Sequence, residues 1–232
     1  MTAELTRCRA LAFDVFGTVL DLGGSLKPHI ARFMDDRGSA VSAEEFWAAW
    51  RLRQRIEQYQ DSLLMLGHSG YLETARRGFV YCLGLFGVQT SSGDAARFME
   101  AWQQLSPYPD VAGALLRLRE RYRLAVLSNG EPGFLEHLVR SRIRFPFDDV
   151  ISVETAGAFK PHPAVYRRAA RILELEPAQI VMVSSNSFDV MGARACGYRA
   201  VFVNREGLPY EDSPYHPDLT VAGFAELADA LL

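Results

Sequence analysis

From residue 110 onward the sequence alternates short apolar runs with segments whose apolar residues recur at helical spacing, and few folds accommodate that alternation. Leu124-Ala125-Val126-Leu127, Val150-Ile151-Ser152-Val153, Ile180-Val181-Met182-Val183 and Ala200-Val201-Phe202-Val203 are short runs of this kind, as expected of strands buried on both faces. Around them 110–121, 132–142, 162–174 and 188–197 read as helices. Strands alternating with helices predict an α/β fold: a mostly parallel sheet with helices on both faces. A fifth run, Ala10-Leu11-Ala12-Phe13, closes on Asp14 and a Gly17-Thr18 turn and belongs to the same sheet.

Between that first strand and the rest, 24–105 carries nothing strand-like. Segments 26–37, 43–60, 61–87 and 94–105 show helical spacing, as with Phe46, Trp47 and Trp50 or Tyr71, Ala75 and Phe79. Ser42 followed by Glu45 suits a capping box at the start of the second segment. Ser91-Ser92-Gly93 reads as a turn between helices, and Pro107 and Pro109 punctuate the return to the sheet. The expected organisation is a core domain from 1–23 and 107–232, with 24–106 inserted as an all-helical cap.

Composition narrows the function classes. With 232 residues, 49% of them hydrophobic and 23% charged, the chain can bury a core and is not of disordered composition. No run approaches the roughly 18 apolar residues that a spanning helix needs, and the start MTAELTRCRALAFD lacks a signal-peptide pattern; no membrane association is expected. A net charge of −3 gives no electrostatic footprint for nucleic acid. Cys8, Cys82 and Cys196 are odd in number and far apart, which excludes a disulfide framework and a cysteine zinc site and suits a cytoplasmic location. His29, His68, His137, His162 and His216 are scattered, without the spacing of a metal site.

In an open parallel sheet, ligands bind at the carboxyl ends of the strands. The polar residues just past each apolar run are therefore informative: Asp14, Ser128 with Asn129, Lys160, and Ser184 through Asp189. Taken alone, Asp14 could cap the next turn and Lys160 could be a solvated surface lysine. Taken together they converge on one rim. Thr18 can reach back across Gly17 to orient a carboxylate oxygen of Asp14, and a positioned carboxylate can act as a nucleophile. Lys160 is the candidate cation to keep it ionised and aimed, and Asp189 the candidate anion to fix that lysine.

The set Asp-Val-Phe-Gly-Thr (14–18), Leu-Ser-Asn-Gly (127–130), Lys160-Pro161 and Val-Ser-Ser-Asn-Ser-Phe-Asp (183–189) resembles the haloacid dehalogenase superfamily, and more narrowly its L-2-haloacid dehalogenase branch. The resemblance covers the sheet domain. It implies a Rossmann-like core, a helical cap and an active site between them. Phosphatases of the superfamily carry a second Asp two residues after the nucleophile to protonate the leaving alcohol; here Phe16 stands there, with no proton to give. They also hold Mg²⁺ through an acidic residue in the fourth motif, where this chain has Ser185. A halide needs no protonation to leave, so Phe16 fits carbon–halogen chemistry. It also departs from the tyrosine common at that position in the branch, which puts any role for that hydroxyl in doubt.

The resemblance implies that Asp14 displaces halide from the α-carbon of an L-2-haloacid, and that water then hydrolyses the aspartyl ester to a D-2-hydroxy acid without a metal or other cofactor. Ser128 and the backbone of Val15 and Phe16 would bind the substrate carboxylate, and Asn129 would face the halide. Lys160 and Tyr166 match the family's Lys and Tyr near the nucleophile, while Ser184, Asn186 and Asp189 would hold Lys160 and place the hydrolytic water. Trp50-Arg51-Leu52-Arg53-Gln54 resembles the family's Trp-Arg-x-x-Gln stretch and points to Arg51 as the cap's anion ligand. Arg53 and Arg55 are neighbouring alternatives, and a solvated basic face is another. The tryptophans are expected chiefly in cap packing, and the apolar cap helices could support a homodimer. Competing readings are a same-mechanism hydrolase of another activated 2-substituted acid such as a cyclic imino acid, a Mg²⁺-dependent phosphatase, and an idle binding protein.

Overall fold

The computed structural model describes residues 2–91 and 93–232; Ser92 of the expected turn, and Met1, lie outside the described residues. In chain order the elements are α1 (Thr2–Leu5), β1 (Ala10–Phe13), β2 (Leu20–Asp21), α2 (Leu22–Asp35), α3 (Ala43–Leu63), α4 (Tyr71–Leu85), α5 (Asp94–Met99), β3 (Ser106–Pro107), α6 (Val111–Leu118), β4 (Arg123–Ser128) and α7 (Pro132–His137). They continue as β5 (Asp149–Ser152), α8 (Pro163–Leu173), β6 (Ile180–Ser184), α9 (Ser187–Ala195), β7 (Arg199–Val203), β8 (Leu219–Val221) and α10 (Phe224–Leu231). No helix among the described residues is long and apolar enough to cross a membrane.

Six strands form one sheet in the order β5-β4-β1-β6-β7-β8, every pair parallel. All four residues of β1 are fully buried, as are all five of β6. This explains why their sequences run apolar throughout instead of alternating. One face of the sheet packs Val126, Val183 and Val201 against Leu115, Phe224 and Leu227 of α6 and α10; the other packs Ala125, Met182 and Ala200 with Val165, Tyr166 and Val190 of α8 and α9. After β1 the chain next enters the sheet at β4 on one side, and later at β6 on the other. The strand order therefore reverses at β1, and the crevice at its carboxyl end is where an open sheet binds ligands.

Between β2 and β3 the described chain carries helices and their connections and no strand. These two strands pair antiparallel, Leu20 with Pro107 and Asp21 with Ser106, so the segments leading into and out of the helical block lie side by side. Two-residue strands leave no periodic signature, and the sequence reading missed both, along with β8 and α10. Within the block, α2 buries Leu22, Leu26, Ile30 and Met34, one residue per turn. Phe46 and Trp50 of α3 join Phe79, Phe98 and Trp102 in an aromatic cluster, where the Trp50 indole donates to Ala75 O at 2.7 Å. Trp50 is thus a packing residue. Ser42 caps α3 by accepting from Glu45 N at 3.1 Å.

Some expected boundaries need correction. The segment 61–87 is not one helix: α3 ends at Leu63, and α4 begins only at Tyr71. Met65, Gly67 and Gly70 have φ of 54°, 82° and 105°, a left-handed region closed to helix and favoured by glycine. The segment 94–105 is split between α5 and a 3₁₀ turn over Glu100–Gln104, and 132–142 between α7 and a π-turn over Leu138–Ile143.

Candidate active site

β1 delivers Asp14 to the crevice. The Asp14 amide still bonds Val183 O of β6 at 3.0 Å, so the sheet ladder fixes the direction of its side chain. Oδ2 accepts from Thr18 Oγ1 at 2.7 Å and from Asn186 Nδ2 at 3.0 Å, and Oδ1 accepts from Lys160 Nζ at 3.2 Å. Thr18 Oγ1 itself accepts from Ser185 N at 2.8 Å, which orients the hydroxyl towards Asp14. The Lys160 ammonium also donates to Leu127 O at 2.6 Å and to Asp189 Oδ2 at 2.8 Å. Its three hydrogens therefore have three acceptors, and it is only 1% exposed. The solvated-lysine alternative fails. Its backbone is fixed too, since Lys160 N donates to Asn129 Oδ1 at 2.9 Å.

Behind the lysine, Tyr166 OH donates to Asp189 Oδ1 at 2.8 Å. Burial pushes the Tyr166 phenol well above its ordinary range, so it stays a donor. Burial likewise raises the Asp189 carboxyl above its usual value against the pull of Lys160, and the nearby Asp14 charge adds to the rise. The ammonium bridges Asp14 and Asp189, so both carboxylates are already engaged by a cation. The Ser185 hydroxyl is buried without a partner and supplies no charge. Among the described residues no three His, Cys, Asp or Glu side chains come together to hold a metal ion. These residues do not fit Mg²⁺.

The opposite wall comes from the helical block. A narrow cleft is lined by Asp14, Phe16, Asn129, Lys160, Asn186 and Phe188 on the sheet side, and by Arg51, Gln54, Arg55, Gln58 and Tyr71 facing them. The residues at 46, 50, 54 and 58 on α3 are all buried. Residues four apart share one helical face, which packs as Phe46 and Trp50 at one end and turns polar as Gln54 and Gln58 where it meets the cleft. Gln58 Oε1 accepts from Asn129 Nδ2 at 3.3 Å, and Arg55 donates to Asn186 Oδ1 at 3.2 Å, so both join the helical block to the sheet rim. Arg51 donates to Gln54 and lies 3.4 Å from Tyr71 OH. The Tyr71 ring stacks on Phe16 at 4.0 Å, and burial pushes its phenol up to about 12.

The structure brings together Asp14, Thr18, Lys160, Asn186 and Asp189, with Phe16, Asn129 and Arg51 on the cleft wall. Other expected sites stand differently. Ser184 does not bond Lys160; its hydroxyl accepts from Asn186 N at 3.1 Å and shapes the loop. Asn186 holds Asp14, not the lysine. Tyr166 is fully buried behind Asp189 rather than on the cleft wall, because α8 packs beneath the sheet rim. Ser128 is also fully buried, with its hydroxyl turned to Gly130 N at 3.4 Å. Val15 contributes backbone: among the described residues no backbone carbonyl accepts from its amide or that of Phe16. Of the three arginines, Arg53 points away to Glu57 and the Tyr81 ring, whereas both Arg51 and Arg55 line the cleft. Trp47 lines an adjoining open groove. Gln54, Gln58, Tyr71 and Phe188 were missed by sequence reasoning, although glutamines on an otherwise buried stripe were a usable signal.

Residues 8–197 match the family model of haloacid dehalogenase-like hydrolases. The chain belongs to this family. Among the curated relatives of this haloacid dehalogenase-like hydrolase, haloacetate dehalogenase H-2 from Moraxella sp. (strain B) is 32% identical over 94% of this chain and 95% of its own. The (S)-2-haloacid dehalogenase of Xanthobacter autotrophicus is 34% identical over 85% of this chain and 75% of its own. A solved structure of the L-2-haloacid dehalogenase from Xanthobacter autotrophicus, with chloropropionic acid covalently bound, superimposes with a TM-score of 0.84 at 28% identity, covering 96% of this chain and 97% of the other.

Proposed function

We propose that this enzyme hydrolyses L-2-haloacids to D-2-hydroxy acids through an ester on Asp14, without a metal ion, and that residues 24–106 act as the cap that closes the cleft. The observation that carries the reading is the set of contacts to Asp14: a carboxylate held by Lys160, Thr18 and Asn186 at the edge of a small cleft. Oδ1 has one donor and Oδ2 has two, so Oδ1 keeps a lone pair free to attack the α-carbon. The carbon–halogen bond breaks as the new carbon–oxygen bond forms, and the halide leaves with the bonding pair. Oδ2 then becomes the ester carbonyl oxygen. When water adds to that carbonyl, negative charge develops on Oδ2, where the donors from Thr18 and Asn186 are already in place. Asp189, whose burial raises its affinity for protons, is the group we assign to take the proton of the water.

Phe16 offers no proton to an alcohol leaving group, and Ser185 offers no carboxylate to a divalent ion, which disfavours phosphoryl transfer. The tight cleft and the name of the Moraxella relative both favour a short acid of two or three carbons. Incubating the protein with L-2-chloropropanoate in EDTA should release chloride and D-lactate in equal amounts. Release of phosphate from esters that EDTA abolishes, with no chloride from haloacids, would overturn the reading.

We further propose a homodimer. Leu63, Leu64, Met65 and Leu66 are 81%, 67%, 90% and 63% exposed at the tip between α3 and α4, and such a consecutive apolar patch suits burial against a second copy. Light scattering should give twice the chain mass, falling to one chain in Leu64→Glu/Met65→Glu. A wild-type monomer at micromolar concentration would contradict it.

A further inference from the structure

Two guanidiniums line the cleft, and among the described residues neither forms an ion pair with a carboxylate. The side chain of Arg55 makes one hydrogen bond, from a terminal nitrogen to Asn186 Oδ1 at 3.2 Å, and its Nε is buried without a partner. Its guanidinium carbon lies 5.2 Å from the Phe188 ring centroid. Burial and the charge of Arg51 both pull its pKa below the ordinary value. An unpaired, partly desolvated cation with an orphaned donor is costly to maintain unless an anion completes it.

Lys160 is already paired with Asp14 and Asp189, so Arg51 and Arg55 are the cleft cations left for an incoming acid, with the charge of Glu211 also acting on Arg55. Displacement then moves charge without changing the total. Asp14 becomes a neutral ester, and the electron pair of the broken carbon–halogen bond leaves on the halide. Two anions remain beside Arg51 and Arg55, the ester's own carboxylate and the halide, while Lys160 keeps Asp189. Each anion then has a guanidinium.

Geometry decides which takes which. Arg55 bonds the Asn186 side chain that also holds Asp14 Oδ2 and Phe16 O, at 3.0 and 3.3 Å. It therefore stands beside the nucleophile. The halide of an in-line displacement departs on the side opposite Asp14, and Arg51 is turned towards Gln54 and Tyr71 of the facing wall. We propose that Arg55 is the carboxylate receptor of the substrate, gripping it through Nε and a terminal nitrogen in the two-point geometry a guanidinium offers. Arg55, like Arg51, also borders the open groove outside the cleft, so an entering acid can reach it.

The inference rests on the haloacid reading, and ligands that do not react separate the two. Calorimetric titration of the wild type, Arg55→Met and Arg55→Lys with sodium propanoate and with sodium bromide reads the carboxylate and halide sites independently of turnover. Propanoate affinity should fall on the order of tenfold to a hundredfold in Arg55→Met, recover in part in Arg55→Lys, and fall more than bromide affinity in both. The KM for L-2-chloropropanoate should rise by more than kcat drops. Unchanged propanoate affinity in a variant that melts like the wild type would overturn the proposal, as would a larger loss for bromide than for propanoate. A wild type that binds propanoate through Arg55 yet releases no halide would instead sink the dehalogenase reading and leave the receptor assignment supported.

Discussion

At the residue scale, the site is a chain of buried charges in which Lys160 connects Asp14 to Asp189. Removing one partner of such a network costs more than the network contributes, because the remaining charges stay buried without compensation. Lys160→Met should therefore destabilise the fold by about 3–5 kcal/mol at neutral pH and abolish turnover. The sign of its pH dependence follows from Asp189, whose carboxyl already titrates above its usual value and would titrate higher without the ammonium. The folded state then binds more protons than the unfolded chain above about pH 4, so stability is fully present below that pH and falls as pH rises through the folded-state pKa. Denaturant melts of the variant should show the deficit shrinking from pH 7 to pH 4; a deficit that grows on acidification would contradict the coupling. Asp14, Thr18, Lys160 and Asp189 were legible in the sequence because strand ends and one helical-turn spacing dictate where they point. Ser128, Ser184 and Tyr166 were not legible in the same way. Whether a side chain next to a strand end faces the crevice or the backbone depends on loop geometry, which neighbouring residues in sequence do not reveal.

At the element scale, helix faces do the positioning. α9 approaches α8 so closely at Gly192 that a Cβ there would lie 2.6 Å from Tyr166 OH and 2.7 Å from Pro161 Cβ. Tyr166 is fully buried and cannot swing aside. Gly192→Ala should cost about 1–3 kcal/mol through overpacking and lower kcat by displacing the phenol that orients Asp189, although residue 192 touches no substrate. A thermal melt and a kcat measurement check this; a variant as stable and active as the wild type would show that α8 and α9 can separate freely. On α3 the stripe through Phe46, Trp50, Gln54 and Gln58 was visible as periodicity, but its meaning was not. Periodicity says that a face is buried, whereas only packing tells whether it meets a core or a cleft. The break between α3 and α4 was expected at 60/61 and lies instead between Leu63 and Tyr71 for a related reason: apolar residues continue through 63–66 and outweighed the glycines at 67 and 70 that mark the loop.

At the scale of the whole molecule, the alternation of strands and helices made the sheet legible, because buried parallel strands must be apolar throughout and must be joined by crossovers. The order of those strands was not, since pairing is decided by contacts distant in sequence. That order matters for function: it puts β1 at the reversal point, with β4 and β6 on its two sides, so that Asp14, Asn129 and Asn186 reach one crevice from three separate parts of the chain. The β2–β3 pair brings the two ends of the helical block together beside that crevice, and α3 lays Arg51, Gln54, Arg55 and Gln58 across it. The central claim is that Asp14 itself bonds to the substrate carbon. The direct test is a single turnover of L-2-chloropropanoate by excess enzyme in ¹⁸O water, followed by mass spectrometry of the peptide containing Asp14 and of the lactate released. The account predicts one ¹⁸O in the Asp14 carboxyl and none in the lactate hydroxyl; label in the lactate hydroxyl with an unlabelled Asp14 would contradict it.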